Sequence, residues 1–378
     1  MTKRLALSGM TLLGLSFALI GCDPKKDAPA DNTTTPPVAG KPNTTPAADP
    51  NAAIYAKFDA PKKPTGDISI KVITNGSDPF WDTMGQGLEV GLKEAGATGG
   101  WAPPDGTDNI AQKNLFEQTI TANADGIAVS PIKADAFAAV INNAIDKGIP
   151  VITFDSDAPT SERLAYVGTN NFEAGRAAGI EAVKLFPAGG KLVAFVGNMS
   201  ADNAKQRYEG FLDAVKGHNI TMLQDPYEDD KDQTGRAHTN VATAITKYGD
   251  QINGLVGIYA YNGPAIVDEV TKAGKLGKVK IICFDGVAKT LDNLANNRID
   301  VAVVQKPYEF GRISAKLLTL INRKGLTAAF AELKPELEKD GMKVDADKHM
   351  IDTGVTVVTP KNAPEFLKML KEKGLKST

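Results

Sequence analysis

The chain predicts an α/β protein of two lobes, with parallel sheets covered on both faces by helices. Three observations lead there. From Ile68 onward, short β-rich runs alternate with stretches whose apolar residues recur at helical spacing. The β runs, such as Pro150-Val151-Ile152-Thr153-Phe154 and Lys280-Ile281-Ile282-Cys283-Phe284, are almost wholly apolar, as strands buried on both faces must be. The length after the first segments, about 310 residues, is more than one small core accommodates.

The first residues lie outside that pattern. Lys3 and Arg4 give a charged start, and Leu12 to Ile20 is an apolar run too short to span a membrane as a mature helix. It ends in Leu19-Ile20-Gly21-Cys22, which resembles a bacterial lipobox with Cys22 as the lipidated residue; an ordinary secretory signal with an incidental cysteine is the other reading. Residues 1–22 are thus expected to be a lipoprotein signal. Cys283 is the only other cysteine, so no intramolecular disulfide is expected beside a lipidated Cys22. Residues 23–65, rich in Pro, Thr, Ala and Asp, are expected to be a disordered tether with a reach of roughly 35–40 Å.

The first strand, Ile68 to Ile73, hands over to a helix through Thr74-Asn75-Gly76-Ser77-Asp78-Pro79-Phe80-Trp81. Two aromatics there either stack on a ligand ring or staple the helix to the sheet. Further strands are expected at 126–129, 164–167, 191–196, 254–258 and 301–304, with helices at 134–147, 172–185, 204–216, 239–247 and 307–322. Each strand is followed by polar residues at its carboxyl end, where open α/β sheets bind ligands. They are Asp155-Ser156-Asp157, Arg207 at the start of a helix, Tyr261-Asn262-Gly263, Asp285-Gly286 and Gln305-Lys306-Pro307. Carboxylates accept from hydroxyls, Arg207 donates, and amides do both. Capping and turn roles remain open for Asp155 and Asp285.

Other classes of function find less support. Net charge is −2 without a basic block, which argues against nucleic acid. His218, His238 and His349 stand outside the strand-end motifs, so no nucleophile–base set emerges, although Asp155 and Asp285 would suit an acid/base pair of the glycosidase kind. Asp229-Asp230-Lys231-Asp232 lacks the glycine and spaced Glu of a calcium loop, so no metal is expected, and no cofactor motif occurs.

The Asp-Pro-Phe-Trp turn, residues 150–155 and Gly168-Thr169-Asn170-Asn171-Phe172-Glu173-Ala174-Gly175-Arg176 carry a specific resemblance. They are joined in order by the Arg207 helix ending Glu209-Gly210-Phe211, by Phe284-Asp285-Gly286 and by Val304-Gln305-Lys306-Pro307. Over about residues 67–325 the chain resembles the periplasmic sugar-binding proteins of bacterial ABC importers, the pentose/hexose family typified by ribose-binding protein. The resemblance implies a type I periplasmic binding protein fold: two Rossmann-like lobes and a three-segment hinge near Thr169-Asn170, Gln305-Lys306 and the segment after Arg323. It assigns 66–169 plus 306–330 to the first lobe and 170–305 plus 331–378 to the second. It implies that Phe80 and Trp81 sandwich a sugar ring while Asp155, Arg207, Asn262, Asp285 and Gln305 bond its hydroxyls, with Asp78, Ser156 and Asp157 completing the set. Asp78 and Ser156 stand where ribose binders carry Asn and Arg, which puts ribose itself in doubt; Asp230 and Asp232 have no secure counterpart. The implied partners are a monosaccharide or polyol, an ABC permease and, through Cys22, a membrane, for an exported protein that is not an enzyme. A sensing co-receptor for chemotaxis or a histidine kinase, or an envelope carbohydrate-active enzyme, are the alternatives. Residues 328–349 form a charged insertion expected to be a solvated helix, before a last strand at 354–359 and a helix at 363–373.

Overall fold

The computed structural model describes residues 51–106, 108–229, 233–375 and 377–378. The expected signal, Cys22 and most of the expected tether lie outside the described residues, as do Asp230 and Asp232. A short helix α1 (Ala52–Lys57) comes first. It is followed by β1 (Ser69–Ile73), α2 (Pro79–Ala95), β2 (Thr98–Ala102), α3 (Asn109–Thr121), β3 (Gly126–Val129), α4 (Ala134–Asp146), β4 (Val151–Phe154) and β5 (Ala165–Gly168). The chain then builds α5 (Asn171–Leu185), β6 (Gly190–Val196), α6 (Asp202–Val215), β7 (Ile220–Met222), β8 (Tyr227–Glu228), α7 (Gln233–Tyr248), β9 (Gly254–Gly257), α8 (Asn262–Lys272), β10 (Lys280–Phe284), α9 (Ala288–Ala295) and β11 (Val301–Val304). Last come α10 (Pro307–Lys324), α11 (Leu326–Lys339), β12 (Lys343–Asp345), β13 (Met350–Asp352), β14 (Thr356–Val358) and α12 (Ala363–Glu372).

Two sheets result, one per lobe. The first runs β12-β13-β5-β4-β3-β1-β2 and the second β14-β11-β10-β9-β6-β7, with β8 beside the end of β6. Pairing is parallel except at one edge of each sheet, where β12 meets β13 and β14 meets β11 antiparallel. Strands β3, β4, β5, β9 and β11 are buried at every position, consistent with helices on both faces.

The sheet order corrects three expectations. Residues 343–352, expected on the second lobe, extend the sheet of the first, because β13 pairs with β5 (Ile351 beside Val167). The chain therefore crosses between lobes at Thr169–Asn170 and Gln305–Lys306, and a third time at Thr353–Val355 rather than just after Arg323. The charged insertion is solvated on one side only. Helix α11 buries Leu326, Ala329, Phe330, Leu333 and Leu337, and the spacing of these residues gives it an inner face.

The folded body also starts earlier than residue 66. Phe58 is 1% exposed within the first-lobe core, and the Leu326 amide donates to its carbonyl at 2.8 Å. Asp59 caps α11 by accepting from the Thr327 amide (3.0 Å) and hydroxyl (2.7 Å). The His349 ring packs between Tyr55 and Phe330. Composition made this stretch look like tether, but one aromatic anchor and a cap hold it to the core.

Helices α5 and α6 approach each other closely, which matters for the site. A Cβ at Gly175 would sit 2.0 Å from Arg207 O, and one at Gly210 would sit 2.0 Å from Phe172 O. Glycine at both positions lets the backbones touch and sets the depth at which Arg207 enters the space between the lobes.

Candidate functional site

Asp155 is the first residue after β4, and its backbone is left-handed (φ 57°). Asp285 occupies the same place after β10 in the other lobe with φ 67°. Asp tolerates this conformation better than most residues, and such strain persists where surrounding structure enforces it. The Asp155 amide donates to Val167 O at 3.2 Å and the Asp285 amide to Val303 O at 2.9 Å, so each backbone is held by its neighbouring strand.

The Asp155 carboxylate is 3% exposed and accepts from Ser130 Oγ (2.9 Å) and Asn203 Nδ2 (3.0 Å). Its other oxygen lies 3.7 Å from the Arg207 guanidinium. Asn203 and Arg207 both belong to α6 of the second lobe, one helical turn apart, so this cluster bridges the lobes. Arg207, 2% exposed, donates through Nε to Asn171 Oδ1 (2.9 Å) and through Nη1 to Ile258 O (3.1 Å), with its guanidinium carbon 5.1 Å from the Phe284 ring centre. Asn171, just past the first hinge crossing, donates in turn to Asp155 O at 3.1 Å. Asp285 accepts from Gln305 Nε2 at 2.9 Å, which ties it to the second crossing.

Between these groups lies a narrow cavity of about 40 Å³. Of the expected site residues, Asp78, Phe80, Trp81, Asp155, Arg207, Asp285 and Gln305 line it. Tyr261, named above at its strand end, lines it too, as do Asn75, Asn203, Tyr259 and Ala260, which were not among the expected site residues. Asn75 and Tyr259 sit just beyond strand ends, which is the signal that would have found them; Asn203 was visible only as a neighbour of Arg207. A larger cavity on the hinge side, walled by Pro307, Tyr308, Phe366 and Met369, shares only Gln305 with this set.

Ser156, Asp157 and Asn262 do not line the cavity, contrary to expectation. Asp157 is clamped by Arg163 at 2.5 and 2.6 Å and by the Thr153 hydroxyl at 2.5 Å, a closed ion pair inside the first lobe. Asn262 accepts from the Tyr259 amide (2.9 Å) and donates to Asp229 (2.7 Å), so both ends of its amide brace the loop after β9. Ser156 is fully buried, its amide turned back onto Phe154 O at 2.6 Å.

Nor can Phe80 and Trp81 sandwich a ring between themselves. They meet edge to face at 4.9 Å, and Trp81 meets Phe154 the same way at 5.9 Å. Together they contribute to the cavity wall, as do Tyr259 and Tyr261 of the second lobe. Asp78 caps α2 by accepting from the Phe80 amide at 3.0 Å while facing the same cavity.

Electrostatically the cavity is acidic. Burial is the main cause that lifts the Asp78 carboxyl from an ordinary 3.8 to about 6, and repulsion from Asp285 adds to it. Burial likewise lifts Asp155 to about 6, against the pull of Arg207 and Ser130, and raises Asp285. Between pH 4 and 6 the folded chain therefore holds protons that the unfolded chain has released. Stability contributed by these groups is full below about 3.8 and is lost as pH rises through about 6. The ligand-free protein is expected to melt higher at pH 5 than at pH 7.5; a flat or opposite profile in calorimetry would contradict this charge arrangement.

The comparisons agree with this architecture. A family model described as a periplasmic binding protein domain matches residues 70–324. A xylose/arabinose-binding protein of Sulfolobus acidocaldarius is 24% identical over 268 residues, which span 66% of this chain and 64% of that protein. A D-ribose/D-allose-binding protein of Pseudomonas aeruginosa is 27% identical over 328 residues, 82% of this chain and 92% of the other. The crystal structure of GanP, a glucose-galactose binding protein from Geobacillus stearothermophilus, superposes with a TM-score of 0.69 at 26% identity, covering 79% of this chain and all of that one. A sequence match over most of the folded length and a shared two-lobed fold lead to one conclusion: the chain belongs to the periplasmic binding protein family.

Proposed function

We propose that this chain is the solute-binding component of an ABC importer, closing its lobes around a monosaccharide or similar polyol and delivering it to a permease. One observation carries the reading. Around the cavity, Trp81 Nε1, Arg207 Nη2 and Gln305 Oε1 are buried without a hydrogen bond among the described residues. Buried polar atoms are costly unless bonded, and sugar hydroxyls would supply the missing partners. The aromatic wall of Phe80 and Trp81 suits the C–H face of a sugar ring. The three relatives named above are called sugar-binding proteins, which points the same way. In this reading the site binds without reacting. The protein is exported, held at the membrane through Cys22 and its following tether.

The test is a titration calorimetry panel of pentoses, hexoses and polyols with wild type and Trp81→Ala. Wild type is expected to bind at least one of them, and Trp81→Ala to bind it ~1–3 kcal/mol more weakly, by analogy with base stacking on aromatic side chains. An unchanged dissociation constant in Trp81→Ala would remove the ring from the ligand contact. A labelled fatty acid that fails to enter the wild-type chain in cells would refute the anchor at Cys22.

A further inference from the structure

We propose that the preferred ligand carries a positive charge, as an amino sugar or amino-polyol does, with its ammonium group received by Asp78, Asp285 and Gln305. This rests on the sugar-cleft reading above and narrows it.

The cavity holds three carboxylates, Asp78, Asp155 and Asp285, against one guanidinium, Arg207. Two nitrogens of that guanidinium are already hydrogen-bonded, and its charge is shared with Asp155. Its Nε and Nη1 bond Asn171 and Ile258, and its Nη2 faces Asp155 at 3.7 Å. Asp155 has two further donors in Ser130 and Asn203. Asp78 has no cationic partner among the described residues: its bond is to the Phe80 amide at the start of α2, and the side-chain charges that bear on it, Asp285 and Asp82, are both negative. A neutral hydroxyl can donate a hydrogen bond to such a carboxylate but leaves the excess negative charge in place.

A second observation adds an unmet acceptor beside Asp285. Gln305 lines the cavity, is 1% exposed and has its amide nitrogen committed to Asp285 Oδ1, while its Oε1 has no hydrogen bond among the described residues. An ammonium has three donors and no acceptor, which matches acceptors on Asp78, Asp285 and Gln305. The donors of the cavity, Trp81 Nε1 and Arg207 Nη2, remain for ring and hydroxyl oxygens of the same ligand. The aromatic rings of Phe80 and Trp81 add a wall that favours a cation over its face.

Calorimetry at pH 7 on the full chain tests this with glucosamine, galactosamine and mannosamine, each beside its hydroxyl parent and its N-acetyl form. Charge-assisted bonds predict that at least one amino sugar binds about tenfold or more tightly than both neutral forms. Asp78→Asn should erase that preference, because Asn keeps the helix cap and removes the charge. A melting temperature at pH 7 no lower than that of wild type would show that the cap survives. A neutral parent that binds as tightly as its amino counterpart overturns the proposal and leaves sugar binding standing. Silence from the entire panel, together with the neutral pentoses, hexoses and polyols above, overturns the sugar-cleft reading itself.

Discussion

Arg207→Ala is expected to lose ~2–5 kcal/mol of ligand binding, the range for removing one partner of a buried, hydrogen-bonded charge. The substitution acts at several points at once. Nη2 no longer reaches the ligand, Asn171 and Ile258 O lose their donor, and Asp155 and Asp285 lose the guanidinium whose charge bears on both. Because Arg207 stands on the second lobe and Asp155 on the first, lobe closure should suffer with affinity. A ligand closes the lobes only through the contacts it gains in the closed state. Small-angle scattering should therefore show compaction of the wild type on adding ligand and none for the variant. Lys205→Ala, on the exposed side of the same helix, should behave as wild type. Arg207→Lys should recover little, since an ammonium cannot serve Asn171, Ile258 O and Asp155 in one plane. Full affinity and closure in Arg207→Ala would mean that ligand binds elsewhere.

Phe58→Ala is expected to destabilise the folded chain by ~3–5 kcal/mol, the usual cost of truncating a buried phenylalanine. Its ring is 1% exposed in the core of the first lobe, and it lies outside the cavity lining. Urea unfolding should shift to a lower midpoint while ligand affinity, measured well below the transition, stays the same. Deleting residues 51–65 should do at least as much, because it also removes the Asp59 cap on α11. A midpoint equal to wild type for Phe58→Ala would return this stretch to the tether.

The sequence by itself determined the fold class and the neighbourhood of the site. Apolar runs such as Val151–Phe154 and Val301–Val304 signal strands because burial on both faces leaves no room for a polar alternation. The polar residues just beyond them were legible as candidates because a chain leaving a parallel sheet must pass the ligand-binding edge. That logic identifies Asp155, Asp285 and Gln305, but it cannot separate Asp155 from Asp157. Two residues apart in the same loop, one turns toward the cavity and the other into an ion pair with Arg163. Asn203 and Asn262 show the same limit: the amide expected at the site braces a loop, and the unanticipated one reaches across to Asp155. Composition likewise hid the role of Phe58 and Asp59, whose partners on α11 lie 268 residues away from Asp59 in sequence. Periodicity reports how each segment is buried, which is a local property. Which partner a polar or aromatic side chain meets depends on segments far along the chain, and only the packed lobes bring those together.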